Sequence, residues 1–126
     1  MVFPASVDDV KAVRELSRRE GIPLFTLGKG ANLLVADKGI RGLVVNLTSL
    51  ARWSFEHGIF RAQAGLEVSD AAEACRANGF SCLEFLNAMP STIGGAVFMN
   101  ARCYGGEISQ ITGRSELYCI INLQGM

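Results

Sequence analysis

The chain has 126 residues, enough for one ordinary domain, and its 49% hydrophobic against 19% charged residues exclude an intrinsically disordered protein. Its 12 basic and 12 acidic residues balance, which argues against nucleic acid as the main partner. The apolar runs are too short for a transmembrane helix, and we expect no signal peptide because the first residues lack a basic and a long apolar region.

The first part of the chain predicts a βαβ-like unit. A strand is expected to start at Val2, and Ser6 with Asp9 has the form of a capping box that begins a helix over about 7–20. Apolar residues recur there at helical spacing, and Gly21 ends the pattern. Further strands are predicted over 23–27, 33–36 and 43–47, with a glycine loop after the first of them and a turn at 37–39.

The second part predicts a hairpin followed by a helix. Alternating residues over 52–56 and 59–64 flank a turn at His57, and Trp53 and Phe55 are expected on the buried face of this hairpin. The later elements are a helix over 69–78, closed by Gly79, and a strand over 115–123. Because that last strand has no partner after it, we expect a piece of a longer architecture, incomplete at its C-terminus.

The change of pattern between the two parts predicts an α+β fold of two small subdomains. Their ranges are 1–50 and 51–126, and they are expected to meet near residues 47–52. The second would be the incomplete one.

Three glycine-rich segments are the candidates for ligand binding. Residues 28–32 follow a strand, where glycines let backbone N–H groups approach a phosphate, although such a turn alone is more often structural. In 89–96, Pro90 suits the start of a short helix with free N–H groups, but a tight turn where two backbone segments cross is the favoured interpretation. Residues 100–107 are the third segment. Together they suggest a ligand with a diphosphate and a large flat apolar part, such as FAD.

No side chain in these segments stands out as catalytic. The carboxylates of Asp37 and Glu107 are expected to be solvated or to cap backbone groups, and Tyr104 is expected to pack. The loop 28–32 is neither a Rossmann fingerprint, since Leu33 stands where a third glycine would, nor a Walker A loop, since no Lys-Ser/Thr pair follows.

Taken together, the segments resemble a known enzyme family. The run LGKGANLLV at 27–35, continued by GLVVNL at 42–47, is similar to that family's first glycine loop. The run LEF at 83–85, with MPSTIGGAVFMNA at 89–101 and YGGE at 104–107, is similar to its second, longer motif. The family is UDP-N-acetylenolpyruvoylglucosamine reductase, also called UDP-N-acetylmuramate dehydrogenase, and the resemblance covers nearly the whole chain.

The resemblance implies a bacterial, cytoplasmic flavoprotein of peptidoglycan biosynthesis with the vanillyl-alcohol-oxidase/PCMH-type fold. It implies an NADPH-dependent reduction of the enolpyruvyl group of a UDP-sugar through FAD. By residue match, the FAD contacts would be made by Gly28, Lys29, Gly30, Ala31, Asn32, Gly65, Pro90, Ser91, Thr92, Ile93, Gly94, Gly95, Asn100, Ala101, Tyr104 and Gly105.

Three positions depart from the family's pattern. Ala31 stands where the family has serine, so a hydroxyl donor to phosphate is missing. Ser91 and Arg102 stand where the family has glycine, and a side chain at a left-handed glycine position strains the backbone. Arg102 is also expected to bring a bulky cation next to the wall of the flavin site.

Members of the family are much longer than this chain. The substrate domain and the catalytic residues are therefore expected outside it, no residue is assigned a catalytic role, and the chain alone is expected to be inactive without a second polypeptide. Two alternatives stay open: a non-catalytic FAD- or nucleotide-binding remnant, and the flavin subunit of another oxidoreductase of the same fold. Neither a membrane nor nucleic acid is expected as a partner.

The cysteines predict reduced thiols rather than a disulfide framework or a metal site. None of Cys75, Cys82, Cys103 and Cys119 forms a CxxC pair, and His57 is the single histidine. We expect all four to be buried as small hydrophobic residues, with no metal bound.

Overall fold

Three helices and six short strands make up the regular structure of residues 1–81 and 83–113, which are the residues that the computed structural model describes. The helices are α1 (Val7–Glu20), α2 (Val68–Ala77) and α3 (Ile93–Phe98), with 3₁₀ turns at Glu84–Leu86 and Ile108–Gln110. The strands are β1 (Leu24–Leu27), β2 (Leu43–Asn46), β3 (Trp53–Glu56), β4 (Ile59–Ala62), β5 (Arg102–Cys103) and β6 (Gly106–Glu107). The predicted α+β class is confirmed, while the strand predicted over 115–123 lies outside the described residues.

Helix α1 has the boundaries that its capping residues predict. The N–H of Asp9 donates to Ser6 Oγ at 3.1 Å, and the N–H of Ser6 donates to Asp9 Oδ2 at 2.9 Å, which completes the capping box. At the other end Gly21 takes the left-handed conformation, with φ 63°. Ser17 is buried near this end because its hydroxyl donates to the carbonyl of Ile22 at 2.6 Å.

Removing the cap should lower the stability of the fold measurably. The substitution Ser6→Ala leaves the N–H of Asp9 without its acceptor, so we expect the free energy of unfolding to fall by about 1 kcal/mol. Ser6→Thr keeps an oxygen at the same place and should cost much less. Urea unfolding followed by circular dichroism measures both, and equal losses for the two variants would contradict the capping explanation.

The predicted βαβ-like start is confirmed. Strands β1 and β2 pair in parallel, with Leu24 opposite Leu43 and Leu27 opposite Asn46. Val2 bridges Val45 on the other side of β2, also in parallel, and its N–H donates to the carbonyl of Val44 at 2.7 Å. This places Val2 and β1 on opposite edges of β2, with α1 as the crossover between them.

The strand predicted over residues 33–36 is wrong. This segment is irregular and exposed, and Leu34 is 97% accessible to solvent. An apolar run becomes a strand only when a neighbour completes its ladder of hydrogen bonds, and no described strand pairs with this one. The 28–42 connection therefore runs from β1 to β2 as a long loop, with the predicted turn at 37–39 closed by a hydrogen bond from Gly39 N–H to the carbonyl of Ala36.

The hairpin and the helix of the second part are confirmed. Strands β3 and β4 pair antiparallel, and His57 forms the turn with φ 50°. The ring of Phe55 lies 4.9 Å from those of Phe60 and Phe80, while Trp53 packs at the edge of this cluster and stays half-exposed, which corrects its expected burial. Aromatic pairs at these distances add stabilisation beyond the apolar area that they bury.

The main core of the described residues lies under α2 and α3. Its buried members are Leu66, Val68, Ala71, Cys75, Leu83, Leu86, Ala96 and Ile108. The expectation for Cys75 is confirmed, whereas Cys103 is only partly buried, and Cys82 and Cys119 lie outside the described residues. Among the described helices, none combines the length and the apolar character that crossing a bilayer requires. The division at residue 50 stays a prediction.

Candidate functional site

The loop 28–32, which we call the diphosphate loop, follows the carboxyl end of β1. Gly30 has φ 73°, the left-handed conformation that loops binding an anion through successive N–H groups use. Within the described residues, the backbone N–H groups of 29–32 donate no hydrogen bond, and the N–H of Leu33 is the next that does, to the carbonyl of Gly30. The loop therefore offers unused donors, which is the arrangement that an anion needs.

Two contacts hold the diphosphate loop alongside α3. A Cβ atom at Gly28 would lie 2.6 Å from Thr92 Oγ1, so only glycine fits there without displacing that side chain. At the other end of the loop Asn32 Nδ2 donates to the sulfur of Met99 at 3.6 Å. Thr92 and Met99 cap the two ends of α3, so the structure brings the first and second glycine segments together.

Most of the N–H groups expected to be free after Pro90 already donate hydrogen bonds. Helix α3 begins at Ile93 with Thr92 as its N-cap, whose hydroxyl accepts from the N–H of Gly95 at 3.3 Å. The N–H groups of Ile93 and Gly94 donate to the carbonyls of Leu66 and Ala64, both at 2.8 Å. The segment 64–68 thus takes two of the donors that the sequence left open, so fewer remain for an anion at this helix start, and the FAD contacts of residues 90–95 stay a prediction.

The favoured interpretation of this segment, a tight crossing of two backbones, is confirmed. A Cβ atom at Gly94 would lie 2.8 Å from the Cβ of Ala64. Gly65 is buried at the same crossing, where an added Cβ would overlap the carbonyl oxygen of Leu47. Close backbone packing explains both glycines without a ligand.

The third segment folds into the small hairpin β5–β6. Tyr104 and Gly105 form its turn with φ 49° and 82°, and the Tyr104 side chain is 91% exposed, so the packing role expected for it is wrong. Asn100 also has a positive φ, 46°, and its side-chain oxygen accepts from the N–H of Ser109. The N–H of Ala101 donates to the carbonyl of Ala96, which ties the segment to α3.

A shallow concavity of about 350 Å³ lies against this hairpin and is lined by residues 102–107 and Gln110. Arg102 and Glu107 pair across it at 2.8 Å. The hydroxyl of Ser109, which donates to the carboxylate, lowers the pKa of Glu107, and Asn100 and Arg102 lower it further. Glu107 also caps the 3₁₀ turn that follows, as expected of a capping carboxylate.

Two of the three departures carry less strain than expected. Neither Ser91 nor Arg102 has a positive φ, so a side chain at these positions meets no left-handed backbone. The hydroxyl of Ser91 donates to the carbonyl of Thr92 at 3.1 Å. Since Arg102 pairs with Glu107, its charge is balanced within the hairpin. The third departure, Ala31, is exposed in the diphosphate loop.

Sequence reasoning missed one charged residue at the site, Glu67. Its Oε2 accepts from Lys29 Nζ at 2.8 Å, and the two residues are 38 positions apart. No local pattern marks Glu67, because the contact depends on the pairing of 64–68 with 91–94. Only the fold brings the two side chains together.

The sequence model of a protein family described as "FAD binding domain" matches residues 1–116. The chain belongs to this family of FAD-binding domains. A UDP-N-acetylenolpyruvoylglucosamine reductase of Clostridium tetani is 43% identical over 111 residues, and the match covers 88% of this chain and 36% of that protein. The corresponding reductase of Oceanobacillus iheyensis is 41% identical over 111 residues, with 87% and 36% covered.

A third relative with the same name, from Levilactobacillus brevis, is 36% identical over 117 residues, which cover 93% of this chain and 38% of the relative. The resemblance drawn from the two glycine motifs is therefore confirmed. The FAD-binding domain spans little more than a third of the length of these curated relatives.

Proposed function

We propose that this domain binds FAD as the flavin-binding part of a UDP-N-acetylenolpyruvoylglucosamine reductase, with the vanillyl-alcohol-oxidase/PCMH-type fold. The observation that carries the proposal is the diphosphate loop. Its N–H groups at 29–32 are unused among the described residues, and Gly30 holds the left-handed conformation that such anion-binding loops use. The loop thus fits an anion through its backbone, which explains how Ala31 is tolerated where the family has serine.

The flavin ring would lie between the diphosphate loop and α3. The contact of Asn32 with Met99 brings the loop to the end of α3, where Phe98 and Met99 expose large apolar side chains, Phe98 at 71%. A flat apolar ring gains by covering such surface. In this arrangement residues 90–95, with Ile93 and Gly94 N–H groups already bonded, contribute shape rather than hydrogen-bond donors, and Asn100, Ala101, Tyr104 and Gly105 form the adjacent wall.

The name that the relatives share supports the proposal that the enolpyruvyl group of a UDP-sugar is reduced, and NADPH is the reductant that we propose. Bound FAD would supply hydride transfer from NADPH to the enolpyruvyl group of the UDP-sugar. The described residues of this chain would bind and orient the cofactor. The bacterial cytoplasm as location, and a second polypeptide as partner, belong to the same proposal.

Titration of the purified chain with FAD tests the binding. We expect saturable quenching of flavin fluorescence and a shift in the visible spectrum, because the ring leaves water on binding. Riboflavin has the same ring without phosphates and should bind much more weakly if the diphosphate loop provides the main contact. The proposal fails if FAD shows no quenching up to high micromolar concentrations.

A further inference from the structure

A carboxylate contacts the diphosphate loop directly. Glu67 Oε2 accepts a hydrogen bond from Lys29 Nζ at 2.8 Å, and the side chains are 35% exposed for Lys29 and 45% for Glu67. Half-buried pairs of this kind are screened less by salt than fully exposed ones. A negative charge next to a loop that binds a diphosphate opposes binding, unless a neighbouring cation offsets it.

The position of Glu67 is fixed by its backbone. It bridges Thr92 in antiparallel fashion, and the neighbouring Val68 N–H donates to the carbonyl of Ser91 at 3.0 Å. Leu66 and Val68 on either side are buried in the main core. Glu67 also occupies the N-cap position of α2, yet its side chain makes no capping hydrogen bond. The carboxylate therefore pairs with Lys29 and does not cap the helix.

We propose that Glu67 is a positioning residue that neutralises Lys29, so that the loop binds a diphosphate through backbone N–H groups and not through a free cation. This inference rests on the proposed function and predicts which phosphate ligands the loop prefers. Without a net positive charge, the loop gains little from ligands that carry more charge than a dinucleotide. Nucleoside triphosphates, whose attraction to a bare lysine would be stronger than that of FAD, are disfavoured.

The charge-removing variant Glu67→Gln is the direct test. Glutamine keeps an oxygen that accepts from Lys29 but leaves the lysine charge unbalanced. We expect FAD to bind about threefold to tenfold more tightly, with a larger gain for ATP and a steeper dependence on salt. Lys29→Ala should act in the opposite direction, weakening FAD binding by about the same factor, and the double variant should bind close to the wild type.

A matched control lies on α2. Glu73→Gln removes the same charge from a carboxylate that pairs with Arg76 on the same helix, and FAD binding should not change. A purely structural role for Glu67 would make both single variants bind more weakly, and that result overturns the inference. If the wild type binds FAD but Glu67→Gln gains neither affinity nor salt dependence, the inference alone is wrong. If no variant, including the wild type, binds FAD, the proposed function fails and the inference with it.

Discussion

Replacing Gly65 by alanine is expected to destabilise the domain by about 3 kcal/mol or more, because the added side chain would clash with backbone atoms of a neighbouring segment. The added Cβ would overlap the carbonyl oxygen of Leu47 and lie 2.8 Å from that of Leu50, both of them backbone atoms. The N–H of Gly65 donates to the same carbonyl of Leu50 at 2.8 Å, so moving the two segments apart also breaks this bond. A loss of this size is a large share of the stability of a small domain.

Gly113 provides the control for this substitution. An added Cβ at Gly113 meets no atom of the described residues within 4 Å, and its φ is not positive, so Gly113→Ala should leave the unfolding free energy nearly unchanged. Thermal and urea unfolding of both variants without FAD measure the two free energies of unfolding. If Gly65→Ala were as stable as Gly113→Ala, the backbone of residues 47–50 would lie farther from residue 65 than it does in the structure.

The elements that the sequence predicts correctly are those whose determinants are local. Ser6 and Asp9 lie three positions apart and cap each other, and the turn at His57 is flanked by strands that pair with one another. Such contacts can be predicted without knowing the rest of the fold. The segment 33–36 looks equally apolar, but a strand there depends on a partner that no described residue provides.

The site was predictable only in part for the same reason. Its two glycine segments could be recognised from their motifs, and the structure places Gly28 against Thr92. The use of the Ile93 and Gly94 N–H groups depends on carbonyls far back in the chain, at Leu66 and Ala64. A motif does not reveal such partners, so it predicts free donors where the fold has already used them.

Backbone conformation at the site was likewise predicted only in part from the sequence. The family's glycines suggested strain at Ser91 and Arg102, whereas the positive φ angles near them fall on Ala88, Asn100, Tyr104 and Gly105. Arg102 instead lies in the extended strand β5. The left-handed turn at Tyr104 and Gly105 follows from the register of β5 with β6, a feature of only two residue pairs.

The largest effect on ligand binding is expected from Gly30→Val. Gly30 has φ 73°, where a β-branched side chain is strongly disfavoured, so the loop must change its backbone to accept valine. The N–H groups of 29–32 then change their directions, and we expect FAD affinity to fall at least tenfold, more than for Lys29→Ala. The quenching titration measures this loss, and circular dichroism checks that the fold survives.

Gly39→Val separates loss of the binding loop from general backbone strain. Gly39 belongs to the same 28–42 connection, has φ 72° and no described atom within 4 Å of an added Cβ, and its N–H already donates to the carbonyl of Ala36. The conformational penalty of valine is therefore similar at both positions, while only Gly30 lies among the unused donors. If Gly39→Val lost as much FAD affinity as Gly30→Val, the loss would come from strain in the connection, and the diphosphate loop would not be the anion site. Retained binding in Gly39→Val, with binding lost in Gly30→Val, assigns the diphosphate to the N–H groups of residues 29–32.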